Sequence, residues 1–166
     1  MSETFPWYAA VSGEHLEQGD FLSECPLVQV RPDGTFSQAA ANVVVLSHSC
    51  DLANDKLEVV QVCPFWPLEV LAVHVEYLRS RRGREELRRG NLTGYHLLNR
   101  CTLKDLDSDF LVLDYRSLFG IPVRTAQSLA QSQTRRRLLP PYREHMAQAF
   151  ARFFMRVGLP VDIPAF

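Results

Sequence analysis

A short apolar segment constrains the fold of this chain more than any other part of its sequence. Residues 42–47 read Asn-Val-Val-Val-Leu-Ser, so four large aliphatic side chains follow one another without interruption. Successive side chains of a strand point to opposite faces, so this run predicts a strand buried on both faces. A polar loop over 50–56 leads to a second run, and we expect Val43–Leu46 to pair antiparallel with Val59–Cys63 as a hairpin.

The rest of the chain predicts an α+β fold with a mostly antiparallel, barrel-like β-sheet and packed helices. With 166 residues, we expect a single domain over 1–166, mainly β in 1–67 and mixed in 68–166. The second half predicts a strand that continues as a helix over 69–89, strands over 95–98 and 109–115, and a short helix over 123–131.

A C-terminal amphipathic helix is predicted over 141–157, after Pro140 and Pro141 and before Gly158. Its apolar residues recur at spacings of four, three, one and three, which places them in one stripe. They are Met146, Phe150, Phe153, Phe154 and Val157. This stripe favours packing against the sheet, and docking of a protein partner is the alternative.

The composition excludes several classes of protein. Hydrophobic residues make up 46% and charged residues 22%, which is ordinary for a globular chain. The formal net charge of −1 gives no global attraction to DNA or to an anionic membrane. There is no apolar run of about 20 residues and no visible signal peptide, so we expect a cytoplasmic protein without a membrane partner.

Five polar or reactive residues directly follow the apolar strand, where rigid scaffolds commonly present functional groups. They are Ser47, His48, Ser49, Cys50 and Asp51. In acid–base or phosphate chemistry, His48 would transfer a proton, Asp51 would orient it and serine hydroxyls would bind substrate. Ser47, His48 and Asp51 are therefore the candidate catalytic residues. The alternative is a structural turn, in which the serine and aspartate side chains hydrogen-bond the loop backbone.

Two cysteine-based interpretations of the same segment are also open. If the strand continues through Cys50, then His48 and Cys50 share a face and could bind zinc together with Cys63 or Cys25. No other cofactor is expected. Cys50 could instead be a nucleophile, for which a histidine must act as base. We expect His74, His96 or His145 to supply that base.

Arginines form a dense cluster in the second half of the chain. Six lie within eleven residues: Arg79, Arg81, Arg82, Arg84, Arg88 and Arg89. Several arginines together can supply sequence-independent affinity for phosphates, which makes this cluster the candidate nucleic-acid-binding site. The alternative is a solvated helix face. Residues 135–137 form a second, smaller cluster, and nucleic-acid binding is favoured if the two clusters share one side of the fold.

Residues 18–64 resemble the PemK/MazF family of toxin ribonucleases, which have a small SH3-like barrel. The matching segments are Gly19–Leu22, Val43–Ser47 and Val59–Pro64. In that family an Arg-Pro pair precedes the valine strand and a Thr or Ser follows the proline of the second strand. Here those positions hold residues 40–42, Ala-Ala-Asn, and 65–66, Phe-Trp, so the resemblance carries over neither catalytic group. Only Ser47 falls on a matching position.

Three hypotheses of function follow from the sequence. The leading one is a nucleic-acid-associated protein resembling PemK-like toxins, with RNA as partner, either an endoribonuclease or a catalytically degenerate relative. The second is a non-enzymatic interaction module that binds a protein partner. The third is a zinc-stabilised regulatory domain.

Overall fold

The computed structural model describes residues 5–54 and 56–155. In this part of the chain the strands are β1 (Tyr8–Val11), β2 (Phe21–Val30), β3 (Phe36–Val45), β4 (Val59–Pro67), β5 (Tyr95–Leu98), β6 (Leu111–Asp114), β7 (Phe119–Pro122) and β8 (Arg135–Leu138). The helices are α1 (Ser49–Ala53), α2 (Leu68–His74), α3 (Arg81–Arg88), α4 (Val123–Ser132) and α5 (Tyr142–Phe154). A 3₁₀ turn over Glu76–Arg79 joins α2 to α3.

The strands form two antiparallel sheets, which confirms the α+β class. The larger sheet has the order β2-β3-β4-β6-β5, and β7 pairs with the first half of β4. The smaller sheet pairs β1 with β8. Within the described residues the strand order of the larger sheet does not close on itself. The long strand β4 organises the fold, because it pairs with β3, β6 and β7 along its length.

The central hairpin prediction is confirmed. Val43, Val44 and Val45 pair antiparallel with Pro64, Cys63 and Val62, respectively, and all three valines are fully buried. Val44 belongs to one hydrophobic core, whereas Val43 and Val45 belong to another. The uninterrupted valine run therefore reflects a strand that separates two cores, each receiving alternate side chains.

The C-terminal helix begins at Tyr142 and is described through Phe154, so Val157 lies outside the described residues. Met146 is fully buried, and its carbonyl accepts a 2.9 Å hydrogen bond from the Tyr115 hydroxyl. Phe153 and its neighbour Phe150 pack partly against the core, whereas Phe154 is 58% exposed. The stripe therefore packs as predicted at its start and reaches solvent at its end.

The expectation of a strand at the start of 69–89 is wrong. This segment holds helix α2, the 3₁₀ turn and helix α3. Leu68, Leu71 and Ala72 are buried at helical spacing, and this pattern prevails over the strand preference of the neighbouring valines. Gly83 allows the 3₁₀ turn to pack closely against α3, because a Cβ at this position would lie 1.9 Å from the Tyr77 carbonyl oxygen. Across the described residues, no helix has the length and apolar character needed to cross a membrane.

Candidate nucleic-acid interface

The segment after β3 is a helix N-terminus rather than a continued strand. β3 ends at Val45 and α1 begins at Ser49, with His48 as its N-cap. The His48 Nδ1 atom accepts a 3.3 Å hydrogen bond from the Cys50 amide. The condition for placing His48 and Cys50 on one strand face is therefore not met. The loop expected over 50–56 is helical in its first half, because His48 caps the backbone there.

The two serines of this segment hydrogen-bond the backbone. Ser47 Oγ accepts from the Gln61 amide at 2.8 Å, and Ser49 Oγ accepts from the Gln18 amide at 3.0 Å. The Asp51 carboxylate lies 4.0 Å from the Lys56 ammonium group. Both serine bonds tie the start of α1 to neighbouring segments, whereas the structural-turn alternative expects bonds to the backbone of the loop itself. The catalytic roles of Ser47, His48 and Asp51 stay a prediction.

The described residues do not assemble the zinc ligands considered above. Cys63 is fully buried in β4, and its Sγ donates a 3.2 Å hydrogen bond to the Asp114 carbonyl. Burial raises the pKa of the Cys63 thiol to about 12 and that of Cys25 to about 11, which disfavours the thiolate needed for metal binding. Cys50 is exposed, and no group of three or more His, Cys, Asp or Glu side chains in residues 5–54 and 56–155 could hold a metal ion.

The arginine cluster around α3 is largely engaged in local structure. Arg79 donates to the carbonyls of Ala72 and Val73 and so caps the C-terminus of α2. Arg84 makes a bidentate ion pair with Glu69, with nitrogen–oxygen distances of 2.8 and 2.9 Å. These two arginines therefore hold α2, the 3₁₀ turn and α3 together.

The remaining four arginines divide into a paired and an unpaired set. Arg88 and Arg89 both contact Glu85, and these hydrogen bonds lower the pKa of the Glu85 carboxyl to about 2. Arg81 and Arg82 are exposed, and the described part of the chain provides no ion-pair partner for either. Only part of the predicted phosphate-binding cluster is therefore free to meet a ligand without breaking an ion pair.

Two arginines of the smaller cluster are structural. The Arg135 guanidinium is buried, and its Nε donates to the Asp20 carboxylate at 3.0 Å. Arg137 Nη2 donates to the same carboxylate at 2.9 Å, and Arg137 also contacts Glu17. Because β8 alternates its side chains, Arg135 and Arg137 share this interior face, and Arg136 points to the other side.

The Arg136 side chain lines a surface cleft. Its guanidinium carbon lies 4.8 Å from the centroid of the Phe21 ring and 5.8 Å from that of Phe65. Its Nη1 donates a hydrogen bond to the Ser108 hydroxyl. Two aromatic rings and one hydroxyl therefore fix the position of this cation.

The cleft has a volume of about 480 Å³ and an aromatic wall. It is lined by Glu24, Ala40, Ala41, Asn42, Pro64, Phe65, Trp66, Pro67, Val70, Ser108, Leu111 and Arg136. Trp66 is 44% exposed, so its indole is available for stacking. A fixed guanidinium, a hydroxyl and an exposed indole thus meet in one concave site.

Sequence reasoning missed this cleft, although one signal for part of it was present. Period-two alternation over Arg135–Leu138 would have separated Arg136 from its two neighbours, had this segment been recognised as a strand. Nothing in the sequence brings Arg136 to residues 40–42 and 64–66, which lie far away along the chain.

Comparisons of this chain with family profiles, with curated proteins and with solved structures gave no match.

Proposed function

We propose that this chain is a small nucleic-acid-associated protein that binds single-stranded RNA in the Arg136 cleft. The observation that carries the proposal is the juxtaposition of the Arg136 guanidinium, the Ser108 hydroxyl and the exposed Trp66 indole. A guanidinium recognises the phosphate backbone, and an aromatic ring stacks on bases without regard to their identity. These are the two components of sequence-tolerant binding to single strands.

Local rather than global charge drives the binding we propose. The chain as a whole carries a net charge of −1, so a distant attraction to RNA is absent. Arg136 already forms its polar contact with a neutral hydroxyl rather than with a carboxylate. A phosphate can therefore approach this cation without displacing an ion pair.

The resemblance to the PemK/MazF family supports the same cleft. The two positions at which that family carries its catalytic arginine and hydroxyl are residues 40–42 and 65–66 here. Both positions line the cleft. We infer that the larger sheet is related to the SH3-like barrel of that family. In this chain Arg136 and Ser108 bring a guanidinium and a hydroxyl to the place where the family's own groups are missing.

Binding of a fluorescently labelled single-stranded RNA, followed by anisotropy, tests the proposal. Stacking is worth about 1–3 kcal/mol per base, so Trp66→Ala should weaken binding by roughly 5- to 150-fold. Arg136→Gln should weaken binding and reduce the slope of log affinity against log salt by about 0.7 between about 50 and 200 mM salt. Arg136→Lys keeps the charge but loses the planar contact, and it separates the two contributions.

The matched control is Arg124→Gln, which removes an exposed arginine that does not line the cleft. It should leave the affinity unchanged. Absence of RNA binding by the wild type at low salt would contradict the proposal, and so would equal affinities of wild type and Arg136→Gln. Gel analysis of the same RNA distinguishes an endoribonuclease, which shortens it, from a catalytically degenerate relative, which binds it intact.

A second candidate function, a protein-interaction module, is favoured by the hairpin of β2 and β3. Val28, Val30 and Phe36 near its turn are 58%, 62% and 72% exposed, respectively. Neighbouring apolar side chains of this size are typical of a surface that contacts another protein. If the hairpin associates with a second copy of this chain, light scattering should show an assembly that Val30→Asp dissociates, whereas RNA binding should be unaffected.

A further inference from the structure

A second cavity lies between α3, β5 and α5, and it shares no lining residue with the Arg136 cleft. Its volume is about 440 Å³, within the range of sites that bind small molecules. Three leucines line it together with Arg88, Arg89, Tyr95, His96, His145 and Arg152. Three arginines and two histidines therefore meet there, and the described residues contribute no carboxylate to the lining.

We propose that this cavity binds a phosphomonoester of nucleotide size. The arginines and histidines would hold the phosphate, and the leucines with Tyr95 would contact the apolar part of the ligand. Guanidinium groups form paired hydrogen bonds with phosphate oxygens, and the double charge of a phosphomonoester suits several cations better than a single carboxylate does.

Helix α5 supplies one basic wall through its geometry. His145, Ala149 and Arg152 are spaced by four and three residues, which places them on one helix face. Ala149 between these two side chains is small, so it leaves room for a ligand. Arg152 is exposed, and within the described residues it has no carboxylate partner. Its guanidinium is therefore available to an anion.

Helix α3 supplies the opposite wall. Arg88 is the last residue of α3 and Arg89 is its C-cap, and both contact the Glu85 carboxylate, which does not line the cavity. Their ion pairs are exposed, so exchange of one contact for a phosphate oxygen loses little free energy. Two of the six arginines that the sequence indicated as phosphate ligands, Arg88 and Arg89, thus line a defined cavity.

His96 in β5 also lines the cavity. Its ring stacks on Tyr115, with centroids 6.3 Å apart and an interplanar angle of 26°. Burial, reinforced by the charges of His145 and Arg152, lowers the pKa of His96 to about 4. The imidazole is therefore neutral near pH 7. An anion in the cavity would offset the surrounding positive charge and raise the pKa of His96.

Titration of the wild-type protein with adenosine 5′-monophosphate, adenosine and inorganic phosphate, followed by calorimetry, tests this proposal. The nucleotide should bind with a dissociation constant below about 1 mM and at least about tenfold more tightly than adenosine. The pKa of His96, read from its imidazole NMR resonances, should rise when the nucleotide is bound. Failure of the nucleotide to bind, equal binding of nucleotide and nucleoside, or an unchanged His96 pKa would overturn the proposal.

Arg152→Gln should weaken nucleotide binding by about tenfold or more, whereas Arg124→Gln should not change it. Both arginines are exposed, so neither substitution disturbs the core. Equal affinities of Arg152→Gln and wild type would place the ligand elsewhere and refute this site.

The phosphate could belong to a free nucleotide or to the end of an RNA chain. Oligonucleotides with a 5′-phosphate and with a 5′-hydroxyl distinguish these sources: only a terminal-phosphate site makes Arg152→Gln weaken the former selectively. Arg136→Gln should leave nucleotide binding unchanged, so failure of this proposal is separate from failure of the RNA-binding cleft.

Discussion

Replacing Asp20 with asparagine removes the carboxylate from the centre of a buried arginine pair. The Asp20 side chain is completely buried, and that of Arg135 is 1% exposed. One carboxylate oxygen accepts from Arg135 Nε at 3.0 Å and from Arg137 Nη2 at 2.9 Å. Asparagine has a similar volume but no charge. The substitution therefore leaves the buried Arg135 guanidinium without a counterion, whereas Arg137 keeps its contact with Glu17.

The size of the effect follows from the burial of Arg135. The guanidinium also donates to the carbonyls of Gly13, His15 and Ala130, so both of its terminal nitrogens keep a hydrogen-bond acceptor after the substitution. What is lost is charge compensation in a site without water access. Removing one partner of a buried ion pair destabilises a protein by about 3–5 kcal/mol. For a chain of this size, that loss lowers the melting temperature by roughly 6–20 °C.

Urea denaturation followed by tryptophan fluorescence measures this free energy, since Trp7 and Trp66 report on different parts of the fold. The matched control is Asp107→Asn, which makes the same chemical change at an exposed position. We expect the denaturation midpoint to fall for Asp20→Asn with little change in slope, and to stay constant for the control.

A loss below about 1 kcal/mol for Asp20→Asn would refute the reasoning, because it would equal the effect of an exposed ion pair. Combining Asp20→Asn with Arg135→Met provides a second test. Once the buried cation is removed, the missing carboxylate matters less, so the double variant should be more stable than the sum of the single losses predicts. A coupling free energy of about 0.5–3 kcal/mol is expected, and strict additivity would show that the two groups do not interact.

Three further predictions concern the core, the thiols and the response to acid. Met146→Ala empties a fully buried position and should lower the free energy of unfolding by about 2–5 kcal/mol in the same urea assay. Cys50 is exposed and the other three cysteines are buried, so a thiol reagent should modify one thiol rapidly in the folded protein and none in Cys50→Ala. Burial lowers the pKa of His96 from 6.5 to about 4, so the unfolded chain binds more protons between these values. The stability that neutral His96 contributes is present above pH 6.5 and is lost as the pH falls toward 4; in His96→Gln this part of the pH dependence should disappear.

Local patterns in the sequence were sufficient to predict much of the secondary structure. The valine run identified the central strand and its antiparallel partner, because a strand between two cores needs apolar residues on both faces. The spacing of apolar residues identified α5, and residues 123–131 were predicted to be helical where α4 lies. The strand predicted at the start of residues 69–89 was wrong, because the β-branched residues there lie on the exposed side of a helix, where strand preference does not decide the structure.

The candidate sites depended on contacts that no local pattern encodes. The sequence identified residues 47–51 by their chemistry. In the structure the two serine hydroxyls accept hydrogen bonds from backbone amides of other segments and so anchor the start of α1, a role that no local pattern predicts. Residues 135–137 looked like a uniform basic cluster. Strand pairing divides them, so that two arginines enter the interior toward Asp20 and Arg136 reaches a surface cleft.

By itself, then, the sequence determined where the chain forms its central strands and its last helix, because those elements depend on the periodic burial of neighbouring residues. The tertiary structure alone decided which charges lose their solvent and which stay free to bind. Asp20 and Arg135 are 115 residues apart, and His96 meets His145 only where β5 packs near α5. Such pairings follow from the order of strands in the sheets, and a carboxylate or an imidazole carries no local signal of the partner that the fold will bring to it.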